Sequence, residues 1–198
     1  MATEITPKHY ELFDQLKIPI VIIAQKVENY PCIIHDDYHA SKDAINYLIS
    51  KGHRSIGFIG VGEYDVAVGI ERKKGYLDAL KENDIEVYND YIQIGDFSHE
   101  SAFKLTHQLM SLPNPPSAIF TVTDNLAIGC MEYLKENNYS IPNDVAIMGL
   151  GDLKISAYMT PRLTTIHYYF KTMGSKSANL LIHLIQSGKE SSKNCESN

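Results

Sequence analysis

Residues 38–60 have the sequence YHASKDAINYLISKGHRSIGFIG, in which a helical pattern is followed directly by a strand pattern. From 38 to 51 the apolar side chains recur at helical spacing, which predicts an amphipathic helix. Gly52 is well placed to end this helix. Residues 56–60, IGFIG, form a short run without a charged or polar side chain, which is typical of a parallel strand covered on both faces.

The same alternation of strand and helix patterns continues along the chain. Further strands are predicted at residues 18–24, 32–34, 91–94, 118–121, 145–148 and 163–166. Further helices are predicted at residues 7–17, 72–83, 99–112, 126–137 and 170–186. Strand–helix alternation needs right-handed crossovers, so these elements predict an α/β fold with doubly wound parallel sheets. In such sheets ligands bind beyond the carboxyl ends of the strands, and a site is therefore expected in the loops that follow them.

The composition is that of an ordinary globular protein, with 44% hydrophobic and 21% charged residues among 198. This length suits one large domain or two small, intertwined ones. The net charge of -6 argues against a nucleic-acid-binding face made by this segment, because phosphate contacts need clustered Lys and Arg. No apolar run approaches the roughly 20 residues of a membrane span. Three cysteines without paired spacing suit a reducing cytoplasm.

The sequence motifs of several enzyme classes are absent. There is no G-x-S-x-G nucleophile elbow, no Walker A sequence and no G-x-G-x-x-G dinucleotide fingerprint. Gly60 and Gly62 follow a predicted strand but lack the third glycine and the later acidic partner of that fingerprint. These patterns give no support for an enzyme, and no cofactor is predicted.

The group that comes nearest to a metal site consists of His35, Asp36, Asp37 and His39. Mixed imidazole and carboxylate ligands could bind a divalent ion, but consecutive residues of an extended chain point to opposite faces. The alternative is a strand end leading into a helix, where one of the two aspartates caps the helix and interacts with its dipole. We favour the cap and predict no metal.

Arg72 opens a predicted helix, after a loop that contains Asp65 and follows the strand at 56–60. Its guanidinium could form a fork onto vicinal hydroxyls or a phosphate, and Asp65 could accept hydrogen bonds from sugar hydroxyls. The alternative is a surface arginine that pairs with Glu71 or Asp65 at the helix start. The residue types alone favour neither interpretation.

Two further sets of residues follow predicted strands. Tyr168, Tyr169 and Phe170 could provide a flat platform for a ring-shaped ligand, although core packing is the default for such a group. Thr123 and Asp124 follow another strand and could supply fixed polar groups. Aromatic platforms combined with fixed polar groups are found in sugar sites.

Six motifs occur in an order that resembles the effector-binding domain of the LacI/GalR family of transcriptional regulators. They are IPIV at 18–21, GHRSIGFIG at 52–60, RKKGY at 72–76, AIFTVTDNLAIG at 118–129, IPNDVAI at 141–147 and PRLTTI at 161–166. Each motif is weak alone, but the ordered set is specific. The resemblance covers residues 7–186.

The resemblance implies a periplasmic-binding-protein-like fold of type I, with an effector bound between two subdomains. A partial N-terminal subdomain would take residues 1–35 and 167–190, and a C-terminal subdomain would take 36–166. A polar tail is expected at 187–198. Positions that match the family's motifs, together with Asp65, give the candidate effector-binding residues Gln25, Asp65, Arg72, Thr123, Asp124, Asp152 and Phe170.

The sequence departs from the family's pattern at three of the matching positions. Thr123 replaces the usual Asn, Gly151 replaces the first residue of an Asp pair, and Ala24 stands where Asp is common, with Gln25 as a partial substitute. These departures weaken hydroxyl recognition in the family's usual mode and leave more of it to Arg72. A phosphorylated sugar, such as a phosphorylated disaccharide, would fit that shift.

For the whole protein the resemblance implies a cytoplasmic repressor that senses a sugar or sugar phosphate and forms a homodimer. Family members begin with a helix-turn-helix and a hinge helix, so we expect this chain to be truncated at its start and to lack the family's final strand. Operator DNA would be bound only through a helix-turn-helix absent from this chain. The alternatives are a periplasmic, transport-associated sugar-binding protein, which shares the fold, and a sugar-processing enzyme.

Overall fold

The computed structural model describes residues 6–187 and 195–197, which divide into two units. Unit 1 consists of the described residues up to Asp36 and from Tyr168 onward, and unit 2 runs from Asp37 to His167. Each unit contains a parallel β-sheet and helices. The predicted α/β fold with parallel sheets is confirmed.

The helices and strands follow the alternation predicted from the sequence, with small differences at their ends. The strands are β1 (Ile22–Ile23), β2 (Cys32–Ile34), β3 (Ile56–Val61), β4 (Ile92–Gly95), β5 (Ala118–Thr121), β6 (Ala146–Gly151), β7 (Thr164–His167) and β8 (Cys195–Ser197). The α-helices are α1 (Pro7–Gln15), α2 (Asp37–Ser50), α3 (Arg72–Glu82), α4 (His99–Met110), α5 (Asp124–Glu136) and α6 (Phe170–Ser187).

Unit 2 is built on a five-stranded sheet with the spatial order β4-β3-β5-β6-β7, in which every neighbouring pair is parallel. Every residue of β3 and β5 is buried, which explains their continuous apolar sequences. Phe58, Tyr76 and Phe120 lie in the core of this unit. The Tyr76 hydroxyl donates a hydrogen bond of 2.8 Å to the Ile56 carbonyl, so its buried polar atom has a partner.

The helices of unit 2 pack in two pairs, α2 against α3 and α4 against α5. A glycine lies at the closest approach of each pair. A Cβ at Gly75 of α3 would lie 2.3 Å from the Tyr38 carbonyl oxygen, and one at Gly129 of α5 would lie 2.4 Å from the His99 carbonyl oxygen. Both positions therefore need glycine because a neighbouring backbone occupies the space of a side chain.

Unit 1 contains a three-stranded sheet with the order β1-β2-β8, again with parallel pairs, and the helices α1 and α6. The strand predicted at 18–24 is much shorter in the structure, where only Ile22 and Ile23 pair with β2. Two residues explain this difference. Pro19 has no N–H to donate to a neighbouring strand, and Ala24 has a φ of 65°, outside the extended region.

The end of the chain also differs from the expected polar tail. Ser187 is the last residue of α6, and Cys195–Ser197 form β8, which pairs with β2. The expectation of a frayed end without a final strand does not hold for these three residues. The remaining tail positions, 188–194 and 198, lie outside the described residues.

The described part of the chain contains neither a candidate metal cluster nor a helix suited to span a membrane. Its His, Cys, Asp and Glu side chains form no group of three or more that could hold a metal ion. Among the same residues, no helix combines the length and the hydropathy of a membrane span.

Cys130 is a buried free thiol, and burial raises its pKa to about 12. Cys32 is disulfide-bonded, which differs from the expectation of unpaired cysteines.

Candidate functional site

The carboxyl ends of the parallel strands in unit 2 meet at one edge of the sheet, and five of the seven candidate residues follow these ends. Asp65 and Arg72 follow β3, Thr123 and Asp124 follow β5, and Asp152 follows β6. This edge is where ligands bind in open α/β sheets. The topology therefore brings residues that are far apart in the sequence to one side of unit 2.

Arg72, the first residue of α3, is buried and bonded to Asp37 at the start of α2. Its Nε donates to Asp37 Oδ1 at 2.8 Å, and its Nη2 lies 2.6 Å from the same oxygen. Its Nη1 donates to the Val122 carbonyl at the end of β5. The sequence alternative of a surface arginine paired with Glu71 or Asp65 is wrong, because the partner is a buried carboxylate on another helix. Arg72 thereby ties α2 and α3 to β5.

Asp37 also bears on the interpretation of the His35–His39 segment. It lies in the first turn of α2, where a carboxylate interacts favourably with the helix dipole. Its ion pair with Arg72 adds a role that the sequence did not reveal, because the two residues lie 35 positions apart. The buried pair orients the guanidinium, and this charge-assisted contact limits how Arg72 can face a ligand.

Asp65 is buried at the end of the loop that follows β3. Its Oδ1 accepts a hydrogen bond of 2.9 Å from Val68 N, and it caps a π-helical segment, Val66–Glu71. Gly69 in this segment lies so close to Gly62 that a Cβ would approach the Gly62 carbonyl oxygen to 2.2 Å. Asp65 therefore shapes the loop that leads into α3, and this backbone bond occupies one of its carboxylate oxygens.

Asp124 accepts three hydrogen bonds through its carboxylate and is only 1% exposed. Its Oδ2 accepts from Leu153 N at 2.8 Å and from Ser156 Oγ at 2.6 Å. Its Oδ1 accepts from Thr165 Oγ1 at 2.5 Å. These donors lie after β6 and within β7, so one carboxylate holds three neighbouring segments of the carboxyl edge together.

Thr123 is the N-cap of α5, with its Oγ1 accepting from Leu126 N at 3.3 Å. The helix predicted from residue 126 therefore begins two residues earlier, at Asp124. The Thr121 hydroxyl donates to the Thr123 carbonyl at 3.0 Å, which stiffens the turn between β5 and α5. Thr123 and Asp124 thus lie in a well-bonded turn next to Val122, the acceptor for Arg72.

Asp152 lies on the exposed side of the same edge and pairs with His167 at the end of β7. Its Oδ2 is 2.6 Å from His167 Nδ1, and both side chains are accessible to solvent. The preceding Gly151 has a φ of 140° and Asp152 a φ of 49°, a backbone turn that directs the chain away from β6. His167 was not among the residues predicted from the sequence, because its partner follows a different strand.

The remaining candidates, Gln25 and Phe170, lie in unit 1. Phe170 begins α6 and is 53% exposed, and its ring packs edge-on against Tyr168 and His35. The rings of His35 and Tyr168 are stacked, with centroids 4.0 Å apart and an angle of 8°. Of the residues in the predicted aromatic platform, Tyr168 is therefore buried, whereas the ring of Phe170 is exposed to solvent. Gln25 is half-buried in the turn after β1.

Comparisons with known proteins agree with this architecture. Residues 45–196 match the family model of the periplasmic binding protein-like domain. The HTH-type transcriptional repressor PurR of Actinobacillus pleuropneumoniae serotype 3 (strain JL03) is 32% identical over 191 residues, which cover 96% of this chain and 56% of PurR. The chain thus spans about half the length of the curated relatives that it matches.

Two solved structures are also similar. A regulatory protein of the LacI family from Chloroflexus aggregans has a TM-score of 0.87 at 27% identity, covering 96% of this chain and 68% of that one. A sugar-binding transcriptional regulator of the LacI family from Escherichia coli, complexed with phosphate, has a TM-score of 0.84 at 25% identity, covering 96% and 69%. The chain therefore belongs to the periplasmic binding protein-like domain family, in the form found in LacI-family transcriptional regulators.

Proposed function

We propose that this chain is the effector-binding module of a LacI-family transcriptional repressor and that its effector is a sugar. Its relatives are repressors rather than enzymes, which supports regulation without catalysis. The observation that carries the sugar assignment is the open Phe170 ring on the His35–Tyr168 stack. A fixed, flat aromatic surface suits the apolar face of a sugar ring. The similar regulator from Escherichia coli is described as sugar-binding.

Within unit 2, groups suited to binding sugar hydroxyls lie at the carboxyl edge of the sheet. Asp152 and His167 are exposed there and form a short hydrogen-bonded pair that can accept from and donate to hydroxyl groups. Asp65 and Thr123 are bonded within their own loops, and Asp124 is bonded to the segments after β6 and in β7. We therefore assign these three residues to positioning the edge. This division leaves Asp152 as the carboxylate best placed to meet a ligand.

The charge of Arg72 bears on whether the sugar is phosphorylated. The sequence departures favour a phosphate, with Arg72 as its partner. The ion pair with Asp37, however, compensates the guanidinium charge within the protein. A second anion at this arginine would meet the Asp37 carboxylate at short range, which costs free energy in a poorly solvated site. We therefore infer that a neutral sugar binds more tightly than its phosphate.

The partners of the whole protein follow from the same proposal. Operator DNA would be bound by a helix-turn-helix outside this chain, as the description of the PurR relative as HTH-type suggests. A homodimer in the cytoplasm is the expected assembly. Leu153, Ile155 and Tyr158 support self-association, because these three large apolar side chains are exposed close together in the sequence of unit 2, Tyr158 at 83%.

Isothermal titration calorimetry of the chain with neutral mono- and disaccharides and their phosphates tests the effector class. We expect saturable binding of a neutral sugar, weaker binding of its phosphate and recovery of the sugar unchanged. Phe170→Ala should weaken binding by about tenfold, the effect of losing one aromatic contact surface. Tyr88→Ala is the matched control, since Tyr88 is 49% exposed and precedes β4, at the amino end of the strands of unit 2.

Three results would overturn parts of the proposal. Equal loss of binding in both variants would remove the aromatic surface from the site. If the sugar phosphate binds more tightly than the neutral sugar, the effector is a phosphorylated sugar, as the sequence departures favour. Hydrolysis or conversion of the sugar by the purified chain would replace the sensor with the sugar-processing enzyme.

A further inference from the structure

A cavity of about 360 Å³ opens in unit 2 at the edge of the sheet opposite to the candidate effector site. Its walls come from the end of α2, the turn before β3, the turn before β6 and the first residues of β6 and β7. A strand rises about 3.3 Å per residue, so the four to six residues of these strands separate the cavity from the carboxyl edge. The cavity is within the usual size range of small-ligand sites, roughly 300 to 1,000 Å³.

The floor of the cavity is apolar. Leu48 and Ile147 are buried core residues whose side chains line it, and Pro142 adds a rigid apolar wall. Two hydroxyl groups, those of Tyr47 and Thr164, stand at the lining as hydrogen-bonding groups. A ligand that fills this space therefore needs an apolar body and at least one polar end.

The charged groups at the cavity are all cationic. Lys51 and Arg162 contribute to its lining, and no Asp or Glu does. Arg162 is exposed and forms no ion pair with any residue in the described part of the chain. Lys51 Nζ lies 5.2 Å from the centroid of the Tyr47 ring, which also lines the cavity. The lining is therefore positively charged in a chain whose net charge is -6.

His53 completes the lining without adding charge at neutral pH. Its Nδ1 lies 3.0 Å from Ser117 Oγ, and burial lowers its pKa from the ordinary value of 6.5. The imidazole is neutral at pH 7 and serves as a hydrogen-bonding wall. The two fixed cations and the apolar floor are then the features that select a ligand.

We propose that this cavity is a second small-molecule site and that it binds a carboxylate attached to a flat apolar ring. The carboxylate would lie between Lys51 and Arg162, where the planar guanidinium can donate two parallel hydrogen bonds to it. The ring would lie on Leu48 and Ile147 and replace water on apolar surface. Such a site is separate from the sugar site and independent of the proposed effector.

The probe for this site is 2-naphthoate, and its uncharged counterpart is 2-naphthalenemethanol. In amide NMR titrations of the chain, naphthoate should shift resonances of residues 47–53 and 161–164, and the alcohol should bind at least about tenfold more weakly, the loss of one charge-assisted hydrogen bond. Arg162→Gln and Lys51→Gln should each weaken naphthoate binding by about the same factor. Arg54→Gln should leave it unchanged, because Arg54 carries the same charge but donates to Asn83 O, away from the lining.

The outcomes that contradict the proposal are distinct from those for the sugar effector. Equal affinity for naphthoate and the alcohol would show that the cations play no part. Naphthoate shifts confined to residues 121–124 and 151–152 would place the ligand at the carboxyl edge instead. If the parent chain is folded by circular dichroism and still does not bind naphthoate, the proposed site does not exist. Each result leaves the calorimetric test of sugar binding unaffected.

Discussion

At the scale of single residues, Asp124 connects most of the candidate site. Its carboxylate accepts from one backbone N–H and two hydroxyls and is almost fully buried. Asp124 was predicted from the sequence as a residue that contacts the ligand. The donors Ser156 and Thr165 lie 32 and 41 positions away, so local sequence patterns carry no sign of them.

Asp124→Asn keeps the size of the side chain but replaces one acceptor oxygen with a donor. At least one of the three donors then loses its partner in a buried place, which costs about 1 to 3 kcal/mol. We expect the free energy of unfolding, measured by urea denaturation, to fall by that amount. Asp90→Asn is the control, since Asp90 is exposed. A stability equal to that of the parent chain would show that the carboxylate does not hold the edge together.

The burial of His53 predicts how the free energy of unfolding depends on pH. Burial lowers its pKa in the folded chain below the ordinary value of 6.5, so the unfolded chain binds a proton at a higher pH than the folded chain does. The free energy of unfolding therefore falls as the pH drops below about 6.5. His53→Asn, which keeps a partner for Ser117 Oγ, should lose less stability between pH 7 and pH 5. Identical losses in both proteins would contradict this role for His53.

At the scale of elements, the sequence predicted the succession of strands and helices well. Continuous apolar runs and helical spacing are local properties, and β3, β5, α2 and α4 followed directly from them. Element ends were predicted less accurately. The strand at 18–24 shrank to Ile22–Ile23, and α5 began earlier than predicted, because the backbone conformation of Ala24 and the Thr123 cap are not visible in hydrophobic spacing.

Two helical glycines give a matched test of element packing. A Cβ added at Gly129 in α5 would lie 2.4 Å from the His99 carbonyl oxygen. A Cβ added at Gly174 in α6 would have no atom within 4 Å. Alanine favours helix over glycine by about 1 kcal/mol. Gly174→Ala should therefore raise the unfolding free energy, while Gly129→Ala should lower it by roughly 1 to 3 kcal/mol through overpacking. Stabilisation by both changes would mean that α4 and α5 can separate at low cost.

At the scale of the whole molecule, the sequence placed five of the candidate residues at one sheet edge but not their partners. Arg72 is the clearest example. Its guanidinium, which was expected to face a ligand, is bonded to Asp37 and to the Val122 carbonyl. Charge compensation by a residue on another helix depends on the folded structure. The same holds for the Asp152–His167 pair, because Asp152 follows β6 and His167 ends the neighbouring strand β7.

The proposal that this chain senses a sugar is tested most directly by thermal unfolding in the presence of a panel of sugars and their phosphates. A ligand at 100 times its dissociation constant adds about 2.7 kcal/mol to the free energy of unfolding. For a chain of this size that raises the midpoint by roughly 5 to 10 °C. We expect such a rise with one neutral mono- or disaccharide and a smaller rise with its phosphate. A cooperative transition that no sugar moves would contradict this expectation.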